Sequence, residues 1–160
     1  MGGVITDPRP GEWYPLDKYM AAFYGIAVKT GNAALHQIGK RIPENAAFPP
    51  HMHSFVTAMS SLDVAYHMNH RKNGQIMANP ATGEMVEGIG HYRYVPPASG
   101  ARQAKMICDN LYPCDFDRGI LTALSQRFRP PDAIRVRVEH APAGPCRKKG
   151  DASCTYLLTW

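Results

Sequence analysis

The apolar period of this chain changes along its length. Between residues 16 and 68 hydrophobic residues recur at steps of three and four, and near the C-terminus they alternate at two. A helix stripe and a strand face must each be buried against something. The sequence therefore predicts an α+β fold, a mostly antiparallel sheet packed with N-terminal helices and one later helix. Leu16, Tyr19, Met20, Phe23, Ile26 and Ala27 make a first helix face, with Gly31 as its stop. Asn32 is placed to cap a second helix carrying Leu35 and Ile38, which Pro43 ends. Pro49-Pro50 open the longest helical pattern, with Met52, Phe55, Val56, Met59, Leu62, Tyr66 and Met68 on one face and Gly74 as terminator. Residues 91–95 and 105–108 read as strands. A helix with Phe116, Ile120, Leu121, Leu124 and Phe128 follows Pro113 and stops at Pro130-Pro131. Ile134, Val136 and Val138 alternate with Arg135, Arg137 and Glu139 as a half-buried strand, and residues 155–160 form the last one. Residues 1–15, rich in Gly and Pro, read as an extended lead-in to one domain over 16–160, as a length of 160 residues suggests.

Composition removes several function classes. Hydrophobic residues at 44% and charged residues at 19% exclude a disordered tail, a coiled coil and a collagen-like chain. No run approaches the roughly 20 apolar residues of a membrane span. The net charge of +5 is spread out, its densest groups being Arg135, Arg137, Arg147, Lys148 and Lys149, then His70, Arg71 and Lys72. No patch interleaves cations with aromatics, so nucleic acid is not expected as a partner, and without an apolar span neither is a membrane. The start lacks a basic segment followed by an apolar one, which predicts a cytoplasmic, reducing location. There, the four cysteines favour thiols or a metal site over disulfides. Residues 1–6 fit the loose N-myristoylation pattern, but Asp7-Pro8 follow directly and the match reads as chance.

Three cysteines sit where a metal could be held. Cys146 and Cys154 bracket a segment containing Gly150-Asp151, a turn dipeptide that can bring its ends together. Cys114 precedes a helix, where the positive end of the dipole favours its thiolate. A tetrahedral zinc needs a fourth ligand. His140 falls on the apolar side of the strand alternation and Glu139 on the arginine side, and both remain candidates. The seven-residue gap between Cys146 and Cys154 is not a zinc-finger spacing, and Cys108 reads as a buried small hydrophobe.

The segment from Cys146 through Arg147, Lys148, Lys149, Gly150 and Asp151 to Cys154, Thr155 and Tyr156 resembles the C-terminal signature of the 4-vinyl reductase (V4R) domain family. Tyr112-Pro113-Cys114 with Gly119 is similar to that family's Cys-then-Gly helix start. The likeness spans roughly residues 105–160, and over 16–70 only the helical pattern agrees. The domain also serves as the sensing input of XylR/DmpR-type regulators and is related to haem-NO-binding and TRAPP-type folds. The resemblance implies a small-ligand-binding domain with a structural zinc held by three cysteines and a glutamate, and Cys114, Cys146 and Cys154 carry over. Where the family's glutamate is expected this chain has Ala143, so the fourth ligand stays open between His140 and Glu139.

An apolar pocket with a few polar groups would be lined by Phe55, Met59, Tyr66, His67, Tyr92, Tyr94 and Met106, for an aromatic or other hydrophobic ligand. His51, His53, His67, His70 and His91 cluster in sequence, and His67 and His70 share a helix face. They could ligate a second metal, or the iron of a haem or other tetrapyrrole. Three functions follow: a small-molecule sensor with structural zinc, signalling as a homodimer or through a separate output protein; an enzyme of the 4-vinyl reductase type; or a protein–protein adaptor that dimerises through its helices. Against the enzyme reading, no Ser-His-Asp set, paired carboxylates or Gly-rich phosphate loop is visible.

Overall fold

A computed structural model describes Asp7 and residues 9–160. The myristoylation-like opening lies outside the described residues, and residues 9–15 hold a turn and no regular element. Four helices follow: α1 (Leu16–Thr30), α2 (Asn32–Asn45), α3 (Phe55–Met68) and α4 (Cys114–Arg127). The strands are β1 (Arg71–Lys72), β2 (Gln75–Ile76), β3 (Tyr92–Val95), β4 (Gln103–Cys108), β5 (Arg137–His140) and β6 (Cys154–Thr159). The last four form one antiparallel sheet in the order β3-β4-β6-β5, so the fold is α+β.

Alternation gives this sheet an inner face. Ala104, Met106 and Cys108 of β4 pair with Leu158, Tyr156 and Cys154 of β6, and all six are buried. Val138 of β5 extends the same face. Phe55, Met59 and Tyr66 of α3 and Leu121 and Leu124 of α4 cover it, forming the main core. On the far side of α4, Phe23, Leu35, Phe116 and Ile120 join α1, α2 and α4 in a second cluster. Two glycines allow the α2–α4 crossing. A Cβ on Gly39 would lie 2.1 Å from the Phe116 carbonyl oxygen, and one on Gly119 would lie 2.2 Å from that of His36. Backbone meets backbone here, and no side chain fits between.

Several local expectations are corrected. Pro43 does not end α2; the helix runs on to Asn45, whose Nδ2 donates to the Arg41 carbonyl and closes the last turn. Asn32 is not a cap but the first residue of α2, after Gly31. The long helix starts at Phe55 rather than at Pro49-Pro50, because the Ser54 hydroxyl accepts from the Thr57 amide at 3.1 Å. Gly74 does not terminate it. Asn73 and Gly74 both take positive φ, 52° and 80°, and make the two-residue turn of the β1–β2 hairpin. Ile134 is 95% exposed and outside any strand, since β5 pairs with β6 only from Arg137 onward.

Candidate metal centre

The three cysteines meet at the seam between α4 and the sheet edge. Cys114 opens α4, and Asp115 and Asp117 in the same first turn suit the helix dipole. Cys154 opens β6, opposite Cys108 of β4. Cys146 leads into a single 3-10 turn, Arg147–Lys149, closed by Gly150 at a φ of 92°. The Cys146 carbonyl accepts from Lys149 N at 2.8 Å, and the Asp151 carboxylate accepts from Cys146 N at 2.8 Å. The loop therefore folds back on itself and returns the chain to Cys154. From the neighbouring strand His140 enters opposite Tyr156, the two rings 4.5 Å apart.

The Cys114 sulfur lies 3.1 Å from that of Cys154 and 3.9 Å from that of Cys146. With a nitrogen of His140, the ligand atoms of all four residues lie within 4.8 Å of one another. The thiols are free and buried. A tetrahedral zinc with sulfurs at about 2.3 Å spaces them about 3.8 Å apart, within the observed range of separations. Among the described residues His140 Nε2 is buried without a hydrogen-bond partner, a lone pair that a metal would satisfy. Three sulfurs and one imidazole form a zinc-type donor set. Glu139 is exposed and lines a groove against α2 and α4. Cys108, fully buried, stands outside the cluster, and burial pushes its thiol well up.

The sulfurs share protons unequally. Either sulfur of the Cys114–Cys154 pair can donate; with the proton on Cys114, the hydrogen bond brings Cys154 down to about 7 and raises Cys114 to about 12. Arg147 N also donates to the Cys154 sulfur at 3.3 Å.

Sequence reasoning missed the supports around the cysteines. Arg147 pairs with Asp117 and donates to the Asn110 carbonyl at 2.5 Å. Asp117 is wholly buried and also accepts from Tyr92 Oη at 2.5 Å and Asn110 Nδ2 at 3.3 Å. Burial pushes it up to about 7 despite the Arg147 charge and these hydrogen bonds. Lys148 meets Asp115 at 2.5 Å, and Tyr156 Oη donates to the Cys114 carbonyl at 2.7 Å. The sequence carries the charges, acids at 115 and 117 beside one cysteine and cations at 147 and 148 beside another, but not their pairing.

The residues assigned to a ligand pocket lie between α3 and the sheet. Phe55, Met59, Tyr66, Tyr92 and Met106 pack together in the main core, with Tyr94 at its margin. Tyr94 Oη is buried and has no partner among the described residues. His67 is 0% exposed; its Nδ1 donates to the Asp63 carbonyl at 2.9 Å, and its Nε2 has no partner among the described residues. His91 lies between Asp63 and Glu87, at 2.8 and 3.0 Å, and groups with Asp63 and His67 as a second set of potential ligands. Burial works against the charge on His91, but the hydrogen bonds it donates to both carboxylates raise its pKa. Both nitrogens of His70 are used, by the Tyr66 carbonyl and Tyr112 Oη. His51 and His53 are exposed.

No family model matches the chain, and no curated protein matches it. Its fold is similar to solved H-NOX structures. An H-NOX protein from S. oneidensis in the Fe(II) ligation state aligns at TM-score 0.56 and 10% identity, over 97% of this chain and 78% of that one. An H-NOX structure from work on haem distortion aligns at TM-score 0.54 and 15% identity, over 98% and 77%. An oxygen-binding H-NOX domain related to soluble guanylate cyclases aligns at TM-score 0.51 and 16% identity, over 97% and 77%. At these identities the likeness is one of fold. Among the described residues no helix is long and apolar enough to cross a membrane.

Proposed function

We propose that this chain is a single-domain cytoplasmic sensor of the 4-vinyl reductase type, spanning residues 16–160, that binds a small aromatic or hydrophobic molecule beside a structural zinc. The observation that carries the reading is the convergence of Cys114, Cys146, Cys154 and His140 at the α4–sheet seam. Four protein ligands complete a tetrahedral shell, which suits a structural ion rather than a catalytic one with an open position. Zinc held there would supply binding energy that ties the last hairpin to α4 and fixes the wall over which α3 lies. Phe55, Met59, Tyr66, Tyr92 and Met106 provide the apolar surroundings, and Tyr94 Oη and His67 Nε2 the unpartnered polar atoms. Because these side chains pack closely, a ligand enters only if α3 moves from the sheet. Homodimerisation is expected through α1, which exposes Tyr24 and Val28, with a separate output protein as the other route for the signal.

The H-NOX-like fold and the free His67 Nε2 favour haem as a second reading. The surroundings of His67 do not fit it: the rings of Tyr66 and His91 sit 5.3 and 5.0 Å away and Tyr92 packs on Tyr66, so a porphyrin would have to displace them. Native mass spectrometry, metal analysis and a visible spectrum of the untreated protein test both readings. One zinc per chain with a copurified apolar molecule, lost in Tyr66→Ala while zinc stays, supports the sensor. A Soret band supports haem, and equal uptake by Tyr66→Ala contradicts the assigned pocket.

A further inference from the structure

The outer face of α4 forms the floor of a groove of about 670 Å³, with α2 on one side and β5 and the residues leading into it on the other. This volume is in the range of small-molecule sites. Its lining is charged rather than apolar. Lys40, Arg118, Arg127, Arg135 and Arg137 face it, against Glu44 and Glu139. The groove thus has a surplus of three positive charges, where the whole chain has five. The Glu44 carboxylate already accepts from Arg41 at 3.0 Å. We propose that this groove binds the phosphate group of a small soluble molecule.

Two features go beyond a generally basic surface. First, two of the cations are held in place. Arg127 donates to the Pro43 carbonyl at 3.1 Å and stacks over Phe48, and Arg118 donates to Asp115 at 3.3 Å. A guanidinium already oriented loses less freedom on meeting an oxyanion. Second, two polar atoms on the lining are buried without partners among the described residues: Arg118 Nε and His36 Nδ1. Such atoms are costly unless something satisfies them, and Nε is a donor for which a phosphate oxygen is the natural acceptor. Lys40, Arg135 and Arg137 form no ion pair among the described residues, and both arginines are exposed beside buried Val136 and Val138. The positive field is felt at His36, whose ring is pushed down by burial and then by Arg118 and Lys40. A concave site of one sign concentrates counter-ions.

This site requires no metal, so its test is independent of the zinc reading. The full chain is titrated with inorganic pyrophosphate at constant ionic strength, following the His36 ring by NMR and heat by calorimetry. The expected result is a saturable shift, with the His36 pKa rising as the anion offsets its neighbours. Arg137→Gln and Lys40→Gln each weaken binding by about tenfold or more, with melting temperature and zinc content unchanged. The absence of a saturable shift, the same shift from chloride, or unchanged affinity in both variants overturns the proposal. Binding to phosphatidic acid vesicles without binding to pyrophosphate overturns the assignment to a soluble ligand. Zinc content in the same samples shows separately whether the metal centre is intact.

Discussion

Replacing Arg147 by Met removes the one full charge that faces buried Asp117. Arg147 is 18% exposed at its side chain and Asp117 0%, so the pair is shielded from water. Breaking such a pair from one side costs about 3–5 kcal/mol, because the remaining charge has no counter-ion. Asp117 has an escape, which sets the pH dependence. Its folded pKa, about 7, lies above its unfolded value of 3.8, so the folded chain holds the extra proton. In the native protein this group's contribution is therefore full below about pH 4 and is lost as pH rises through about 7. Without Arg147 the pKa moves higher still. Near pH 5 Asp117 is protonated with or without the arginine, and the variant loses only hydrogen bonds, about 1–2 kcal/mol. Near pH 8 protonation of Asp117 caps the added cost at about 1.4 kcal/mol, one pH unit above a pKa of about 7, so the loss is about 2.4–3.4 kcal/mol, or roughly 5–14 °C in melting temperature for a chain of this size. Urea unfolding at the two pH values measures this directly. Adding Asp117→Asn removes the stranded charge and should return part of the loss at pH 8. An equal cost at both pH values, or no rescue by Asp117→Asn, would refute the reasoning.

Other outcomes follow from the same packing. Gly119→Ala should destabilise by more than about 2 kcal/mol, since its Cβ meets the His36 carbonyl oxygen at 2.2 Å, whereas Gly25→Ala, with open space around it, should stabilise by about 0.5–1 kcal/mol in thermal melts. Cys154→Ala should abolish zinc retention after dialysis against a mild chelator and lower the melting temperature by several degrees. Cys108→Ala, lying directly across the ladder, should keep its zinc and lose only packing. Equal zinc loss in both would show that sulfur identity at the cluster does not matter.

Much of this fold could be read from periodicity. The helix faces of Phe23, Leu35 and Phe116 and the pattern through Val136 and Val138 report burial, which periodicity encodes. Pro43 and Ile134 misled because tertiary context overrode local preference: α2 continues past its proline, and Ile134 precedes the first β5–β6 pair. The Asn73-Gly74 hairpin was legible as a two-residue turn but was masked by the helix before it. The side of the strand on which His140 lies could be inferred from period two. The Arg147–Asp117 and Lys148–Asp115 pairs could not, because they join segments about thirty residues apart, and only the folded loop shows which acid each cation meets. The α2–α4 groove was likewise hidden, since its cations come from three separate segments.

The most direct measurement is zinc-edge X-ray absorption on the purified full chain, with metal stoichiometry from the same sample. The account predicts one zinc per chain, with three sulfurs at about 2.3 Å and one nitrogen at about 2.0 Å, and an altered nitrogen shell in His140→Ala but not in Glu139→Ala. A shell of oxygens, fewer than three sulfurs, or protein that stays folded and zinc-free after growth in zinc-replete medium would contradict it.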